Sequence, residues 1–221
     1  MKNRSGEKIK MPTLDELMGI AGEENANELE INRIHNFANH PFKVVDDEEM
    51  DELVESIEKN GILVPVLVRP DVNNSYEMIA GHRRMHAAIR IGLKTIPAIV
   101  RDLDDDEAII VMVDSNIQRK KLLPSEKAFA YKMKLEAMKH RVGRKCKENV
   151  SQIGTHYRAD SEMANELGES RNTIRRFIRL TELIPELLEY VDKKRLPFTS
   201  GVDISYLDKE IQKWLFEYIK E

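Results

Sequence analysis

The spacing of hydrophobic residues changes character near the middle of the chain. Before residue 120, short apolar runs typical of strands alternate with stretches in which apolar residues recur at helical spacing. The predicted strands span residues 64–68, closed by Pro70, 76–80 and 95–100, and the predicted helices begin at Asp47, His82 and Asp104. Strands that alternate with helices predict a small α/β domain.

After residue 119 the apolar repeats are helical only. One helix is predicted to begin at Pro124 or Ser125 and to end at Gly143. Three or four short helices are expected after Ser161, and the residues that separate them are Gly168, Pro185, Pro197 and Gly201. The predicted fold class is therefore α+β/α, a small α/β domain followed by an all-α domain.

These changes divide the chain into three predicted parts. Residues 1–30 are polar and contain three glycines, and we predict that they form a flexible arm. Residues 31–120 form the predicted α/β domain, and residues 121–221 form the predicted helical domain.

Composition narrows the class of protein. The longest apolar runs fall far short of the roughly 18 residues that a membrane span needs, and the start of the chain lacks the apolar core of a signal peptide. The single cysteine, Cys146, excludes a disulfide framework and a thiolate metal site and fits a reducing cytoplasm. The six histidines show no metal-binding spacing with a second type of ligand.

Charge is distributed unevenly, although the formal net charge is only −4. Between Lys139 and Arg179, ten basic residues outnumber five acidic ones. A basic segment within an acidic protein is the pattern expected of a localised DNA-binding module.

Three residues at fixed spacing indicate a helix-turn-helix at about residues 160–180. Ala164 allows two helices to approach, Gly168 supplies the positive φ of the turn, and Ile174 is the buried aliphatic residue of the second helix. Ser170 is a suitable N-cap for that second helix. The same pattern is compatible with an amphipathic helical hairpin that exposes a solvated arginine face.

The second helix of this motif presents polar side chains suited to DNA. Arginine and asparagine make bidentate contacts to guanine and adenine, so Arg171, Asn172 and Arg175 are candidates for base contact. Arg176 and Arg179 are candidates for phosphate contact. The full set of predicted DNA-binding residues is Ser170, Arg171, Asn172, Thr173, Arg175, Arg176 and Arg179.

A second candidate site lies where a predicted strand meets a helix at Gly81. A helix start leaves N–H groups without intrahelical partners and carries the positive end of the helix dipole, so Gly81 followed by Arg83 and Arg84 is suited to bind phosphate. The alternative is a glycine turn before a solvated basic helix. The downstream segment at residues 115–119 and the helix-turn-helix pattern favour the phosphate site.

Four motifs in this order resemble those of the ParB family of chromosome and plasmid partition proteins, and the resemblance runs from about His35 to the end of the sequence. An acidic helix and a P-x-x-V-R-P strand lie within residues 50–70, and the arginine box G-x-R-R-x-x-A spans residues 81–87. Residues 115–119 are similar to the family's E-N-x-Q-R box, and the helix-turn-helix lies where the family has it. The resemblance implies a ParB/sulfiredoxin-like N-terminal domain. Sulfiredoxin chemistry needs a cysteine in the arginine box, where this chain has His82.

The resemblance implies a protein that clamps DNA at a centromere-like site and uses CTP as a switch. The arginine box would grip the triphosphate, and Asn116 would face Mg²⁺. The implied nucleotide-binding residues are Gly81, His82, Arg83, Arg84, Ser115, Asn116 and Arg119. His82 and Ser115 stand where the family has glutamates, and Mg²⁺ prefers carboxylate oxygens, so we expect weak CTP hydrolysis at best.

The resemblance also implies partners and a location. A two-fold, inverted-repeat DNA site needs two copies of the reading helix, so we expect a homodimer. In the family a basic N-terminal peptide engages a ParA-type ATPase, which makes Arg4, Lys8 and Lys10 candidate contacts. The expected location is the cytoplasm, on the bacterial nucleoid or a plasmid. The alternative function is a DNA-binding transcription or copy-control regulator of a mobile element, without CTP-driven spreading.

Overall fold

The computed structural model describes residues 26–119, 121–148 and 159–220. Their contacts group into two compact units. The first unit contains residues 26–35 and 47–102, and the second contains residues 36–46 and 103–220.

A five-stranded mixed sheet is the framework of the first unit. Its strands are β1 Asn27–Glu30, β2 Ile34–Asn36, β3 Val66–Asp71, β4 Ser75–Ala80 and β5 Thr95–Val100, in the spatial order β1-β5-β3-β4-β2. β3 pairs in parallel with β5 and antiparallel with β4, and β1 pairs antiparallel with β5. The sheet therefore combines both pairing types, as in an α+β fold.

The first strand lies within the predicted flexible arm. Leu29 is buried and pairs with Ile96 of β5, so pairing with a distant segment orders a polar sequence. The prediction of an arm is wrong for residues 27–30, and residues 1–25 lie outside the described part of the chain.

Two helices complete the first unit, α1 Glu48–Asn60 and α2 His82–Arg90. The Asp47 carboxylate accepts a hydrogen bond from the Met50 N–H at 2.9 Å and caps α1, and Gly61, with φ +71°, ends it, as the sequence predicts. Met50 and Ile57 of α1 pack on Ala87 of α2. The opposite side of α2 packs on the sheet through Met85 and Ala88.

The second unit is helical. Its helices are α3 Asp105–Ile117, α4 Pro124–Glu148, α5 Ala159–Leu167, α6 Arg171–Leu180, α7 Pro185–Asp192, α8 Phe198–Ile204 and α9 Lys209–Lys220. Tyr131 and Met138 of α4 form a core with Met163 of α5 and Ile174 of α6. A second core joins the end of α6 to α7 and α8 through Leu180, Leu187 and Val202. The long helix α4 is thus the element on which the short helices assemble.

Two glycines and one proline act differently from the prediction. α4 continues through Gly143, because an interior glycine costs a helix about 1 kcal/mol and does not terminate it. Gly201 lies inside α8, where a Cβ would be 2.8 Å from Val191 Cγ2, so it permits close helix packing and is not a separator. β3 continues through Pro70, because β5 pairs only with the earlier residues of β3 and leaves that edge open.

The compact units and the predicted domains do not coincide. α3, which falls before residue 120, groups with the helical unit because Ile110 packs on Tyr131 and Met138 of α4. The predicted domain boundary at residue 120 stays a prediction. Among the described residues, no helix is both long and apolar enough to cross a membrane.

Candidate functional site

The start of α2 is shaped by Gly81. This residue has φ +106°, and a Cβ added to it would lie 2.7 Å from Val66 Cγ1 on β3. A side chain is therefore excluded both by the backbone conformation and by the close strand. Gly81 offers no side-chain cap to the first-turn N–H groups of α2, which lie outside the helical ladder.

The two predicted phosphate-binding arginines lie in the first turn of α2. Arg83 makes ion pairs of 3.4 Å with Asp47 and 3.4 Å with Glu49 at the start of α1. Arg84 donates to the backbone oxygens of Val64 and Pro65, the latter at 2.7 Å, and burial lowers the pKa of its guanidinium. Arg83 therefore pairs with carboxylates at the start of α1, whereas Arg84 anchors the segment before β3.

His82, the first residue of α2, is buried. An aromatic ring occupies the place where the family pattern has a glutamate, and it lies within the folded unit. Residue 82 therefore contributes no carboxylate to the first turn of α2, and the acids that pair with Arg83 come from the start of α1.

Two other predicted nucleotide-binding residues, Ser115 and Asn116, lie at the end of α3, which belongs to the second unit. Asn116 Nδ2 donates to the Met112 carbonyl at 2.8 Å and to Ser115 Oγ at 3.2 Å, which orients the amide. Ser115 Oγ also donates to the Met112 carbonyl, at 2.9 Å. The Asn116 amide oxygen is the atom suited to a hard cation such as Mg²⁺. Among the described residues, no group of three or more His, Cys, Asp or Glu side chains is arranged to hold a metal ion.

The segment at residues 36–46, which belongs to the second unit, is held by Glu126 and includes His40. Burial lowers the pKa of His40, and the positive charge of Arg119 adds to this shift. Glu126 accepts from the Lys43 N–H at 2.7 Å and from the Leu123 N–H at 2.9 Å. Glu126 thereby joins the segment at residues 36–46 to the start of α4, a role that the sequence motif alone does not reveal.

The helix-turn-helix has the geometry that its spacing predicts. Ala164 on α5 and Ile174 on α6 are buried, and Gly168 has φ +65° between the two helices. Ser170 Oγ accepts a hydrogen bond from the Thr173 N–H at 3.0 Å and caps α6. The Glu169 N–H donates to the Ala164 carbonyl at 3.1 Å and closes the turn.

The polar residues of α6 divide into an exposed set and an anchored one. Arg171, Asn172, Arg175 and Arg176 are exposed. Arg179 is half-buried, donates to the Ser205 carbonyl at 2.6 Å and stacks over the Tyr206 ring, so it ties α6 to the end of α8. The exposed set can reach a nucleic acid without breaking the core.

Arg175 and Arg171 also make contacts back to α5. Arg175 forms an ion pair with Asp160, and Arg171 donates to Ser161 Oγ at 3.3 Å. Partial burial would raise the pKa of Asp160, but the hydrogen bond and charge of Arg175 outweigh burial and hold that pKa below its ordinary value. These contacts preorient the arginines on the outer side of the motif.

Sequence reasoning missed the lysines of α4 that hold the turn. Lys127 Nζ lies 2.6 Å from Glu169 Oε1 and 4.9 Å from the centre of the Phe177 ring. Lys134 is buried and contacts Glu166 on α5. The signal for them in the sequence is the repeat of Lys127, Tyr131 and Lys134 at helical spacing, which places two lysines on the apolar stripe of α4.

The fold and the α5–α6 geometry define a helix-turn-helix protein with an α/β N-terminal part. The sequence profile of the ParB N-terminal domain matches residues 18–117, and the chain belongs to the ParB family. The chromosome-partitioning protein Spo0J of Thermus thermophilus is 33% identical over 181 residues, which cover 82% of this chain and 60% of that protein. This chain therefore spans 60% of the length of that relative.

Two further similarities extend beyond the N-terminal part. The nucleoid occlusion protein of Listeria monocytogenes is 29% identical over 207 residues, which cover 94% of this chain and 66% of that protein. The crystal structure of a C-terminally truncated ParB from Caulobacter crescentus complexed to the centromeric parS site is 27% identical. It has a TM-score of 0.52 and covers 87% of this chain and 92% of that chain.

Proposed function

We propose that this chain is a sequence-specific DNA-binding partition protein that reads a centromere-like inverted repeat through α6 and uses CTP as a clamp switch. The observation that carries the proposal is the exposed row of arginines on a capped α6. The chain is also similar in fold and sequence to a ParB crystallised on its centromeric site.

The start of α6 is the part suited to read base edges. Arg171 and Asn172 follow the N-cap directly and are exposed, and recognition helices present their N-terminal residues to the major groove. Arg175 lies one turn further along the same side. Arg176, over the Phe198 ring at 5.3 Å, is suited to a phosphate contact, and Arg179 near the end of α6 is proposed for a phosphate contact as well.

The α2 start is the proposed triphosphate site. Three features favour binding of a polyanion there. They are the first-turn N–H groups that have no intrahelical acceptor, the glycine that allows close approach, and the guanidinium of Arg83. Asn116, through its amide oxygen, and the phosphates themselves would hold Mg²⁺, which neutralises the triphosphate charge when bound. Ser115 supplies no carboxylate, and Asp114 accepts a hydrogen bond from Lys134 at 2.6 Å, so we expect hydrolysis to be weak.

The remaining partners follow from the family resemblance. We expect a homodimer on a two-fold site, with nucleoid or plasmid association. The ParA-type ATPase contact at Arg4, Lys8 and Lys10 falls outside the described residues and stays a prediction.

The DNA-reading part is tested by selecting duplexes of random sequence on the purified chain. Binding of the enriched duplex is then measured by fluorescence anisotropy at two salt concentrations. Arg175→Ala is expected to weaken binding about tenfold or more. Arg195→Ala removes one exposed positive charge after α7 and serves as the control, with binding within about twofold of the unchanged chain. Failure to enrich any sequence contradicts the proposal.

The nucleotide part is tested with a panel of CTP, ATP, GTP and UTP, each with Mg²⁺, with and without the enriched duplex. A preference for CTP and nucleotide-dependent spreading from the site support the clamp. Specific DNA binding without a preference for CTP would instead indicate a transcription or copy-control regulator.

A further inference from the structure

Lys134 on α4 is buried at a point where three helices meet. Its side chain is 1% exposed, and its Nζ lies 2.6 Å from Asp114 Oδ1 on α3 and 2.8 Å from Glu166 Oε2 on α5. A buried ammonium group needs close hydrogen-bonded partners, so both carboxylates are held tightly to it. One side chain therefore connects the ends of α3 and α5.

The two carboxylates lie beside the two candidate sites. Asp114 directly precedes Ser115 and Asn116 in the last turns of α3. Glu166 lies two residues before Gly168, the turn that sets the direction of α6. A shift in the last turns of α3 would thus reach the turn before the reading helix through a single intermediate group.

The charge balance of this cluster makes the contact adjustable. One ammonium serves two carboxylates, so a stronger contact with one of them weakens the hold on the other. An element that can favour either of two neighbours is what coupling between sites requires.

We propose that Lys134 couples nucleotide binding at Ser115 and Asn116 on α3 to the position of the α5–α6 helix-turn-helix. It does so by sharing its ammonium group between Asp114 and Glu166. This inference rests on the function proposed above and names its internal regulation. Lys134 touches neither ligand in this scheme, and it is a positioning residue.

Lys127 is the matched comparison on the same helix. It contacts Glu169 in the turn and the rings of Tyr131 and Phe177, so it also supports the helix-turn-helix. Its ion pair joins α4 to the turn and does not include α3. A purely structural role for these two α4 lysines predicts the same behaviour for Lys127 and Lys134, whereas coupling predicts a difference.

The test is the ratio of dissociation constants for the selected duplex without and with CTP and Mg²⁺. The unchanged chain is expected to give a ratio that differs from one by about fivefold or more. Glu166→Gln and Lys134→Met are expected to bring the ratio close to one, while CTP affinity without DNA stays within about twofold. Lys127→Met is expected to weaken DNA binding and to keep the ratio of the unchanged chain.

Thermal unfolding checks each variant, and Glu166→Gln and Asp114→Asn carry the test if Lys134→Met does not fold. A folded Glu166→Gln with the ratio of the unchanged chain overturns the inference. A ratio of one in the unchanged chain, with normal DNA and CTP binding, also overturns it and leaves the DNA-reading proposal intact. Absence of selective DNA binding in the unchanged chain rejects the proposed function itself, and the inference with it.

Discussion

Gly81 lies so close to Val66 that a Cβ at residue 81 would be 2.7 Å from Val66 Cγ1. Such a separation is far below van der Waals contact, so the glycine is required by packing as well as by its φ of +106°. The strand β3 and the start of α2 are consequently locked together at the point where phosphate is proposed to bind.

Gly81→Ala is expected to reduce the free energy of unfolding by about 2–4 kcal/mol, because it adds a steric clash to a strained backbone. Gly92→Ala is the matched control, since Gly92 also has a positive φ, +76°, but has no neighbouring atom within 4 Å of the added Cβ. Its expected cost is about 1 kcal/mol. Chemical denaturation of both variants measures the difference, and equal losses would show that the contact with Val66 is unimportant.

Arg83→Ala is expected to reduce CTP affinity about tenfold, because a charge-assisted contact to phosphate is lost. Its ion pairs with Asp47 and Glu49 are partly exposed, so the change in stability should stay below about 1 kcal/mol. Arg90→Ala removes another α2 arginine that pairs with an acid of α1, Asp51, and should leave CTP affinity unchanged. Calorimetric titration with CTP and Mg²⁺ distinguishes the two, and equal effects would indicate general electrostatics.

Ser115→Glu is expected to raise CTP turnover about tenfold or more, because it returns a carboxylate to the box beside Asn116. Ser115→Gln introduces a side chain as long as glutamate but without its charge, so this variant should not change the rate of turnover. Phosphate release in the presence of Mg²⁺ is the measurement. Rapid release by the unchanged chain, or an equal gain with glutamine, would refute this account of the substitution.

Asn172→Ala and Arg176→Ala are expected to affect DNA binding in different ways. Loss of a base contact should relax the preference at one position of the site by about 1–3 kcal/mol. Loss of a phosphate contact should weaken binding to all sequences and lower the slope of log affinity against log salt by about one. Binding of single-base variants of the selected duplex at several salt concentrations separates the two, and identical profiles would contradict the assigned roles.

The Asp160–Arg175 pair predicts a dependence of stability on pH. Because the pKa of Asp160 is lower in the folded state than in the unfolded state, the pair stabilises the fold above the unfolded-state pKa of about 4. This contribution is lost as the pH falls through the folded-state pKa. The difference in unfolding free energy between the unchanged chain and Asp160→Asn should therefore shrink between about pH 6 and about pH 3. A constant difference over this range would exclude the pair as its source.

Local features of the fold follow from the sequence alone. Asp47 and Ser170 cap helices, and Gly61 and Gly168 adopt positive φ, as their positions in the pattern predict. These features depend on residues within one turn of each other, so short-range geometry decides them. The order of the motifs along the sequence is sufficient to indicate the ParB family, and the profile match supports this assignment.

Features that depend on distant residues are not predictable in the same way. Leu29 joins a strand only because Ile96 pairs with it. Gly201 is helical because α8 packs closely on Val191, and a glycine in a sequence is equally compatible with a break. In each case the deciding partner is remote in the chain.

The sequence by itself determined the alternation of strands and helices, the helix-turn-helix with its arginines, and the glycine and arginine box of the candidate phosphate site. It did so because periodicity, caps and turns are properties of neighbouring residues. Only the tertiary structure decided that Arg84 anchors backbone, that Arg179 is tied to Ser205, and that Lys134 lies between Asp114 and Glu166. Those assignments depend on which side chains meet in space, and the low-dielectric interior then makes their charges interact strongly.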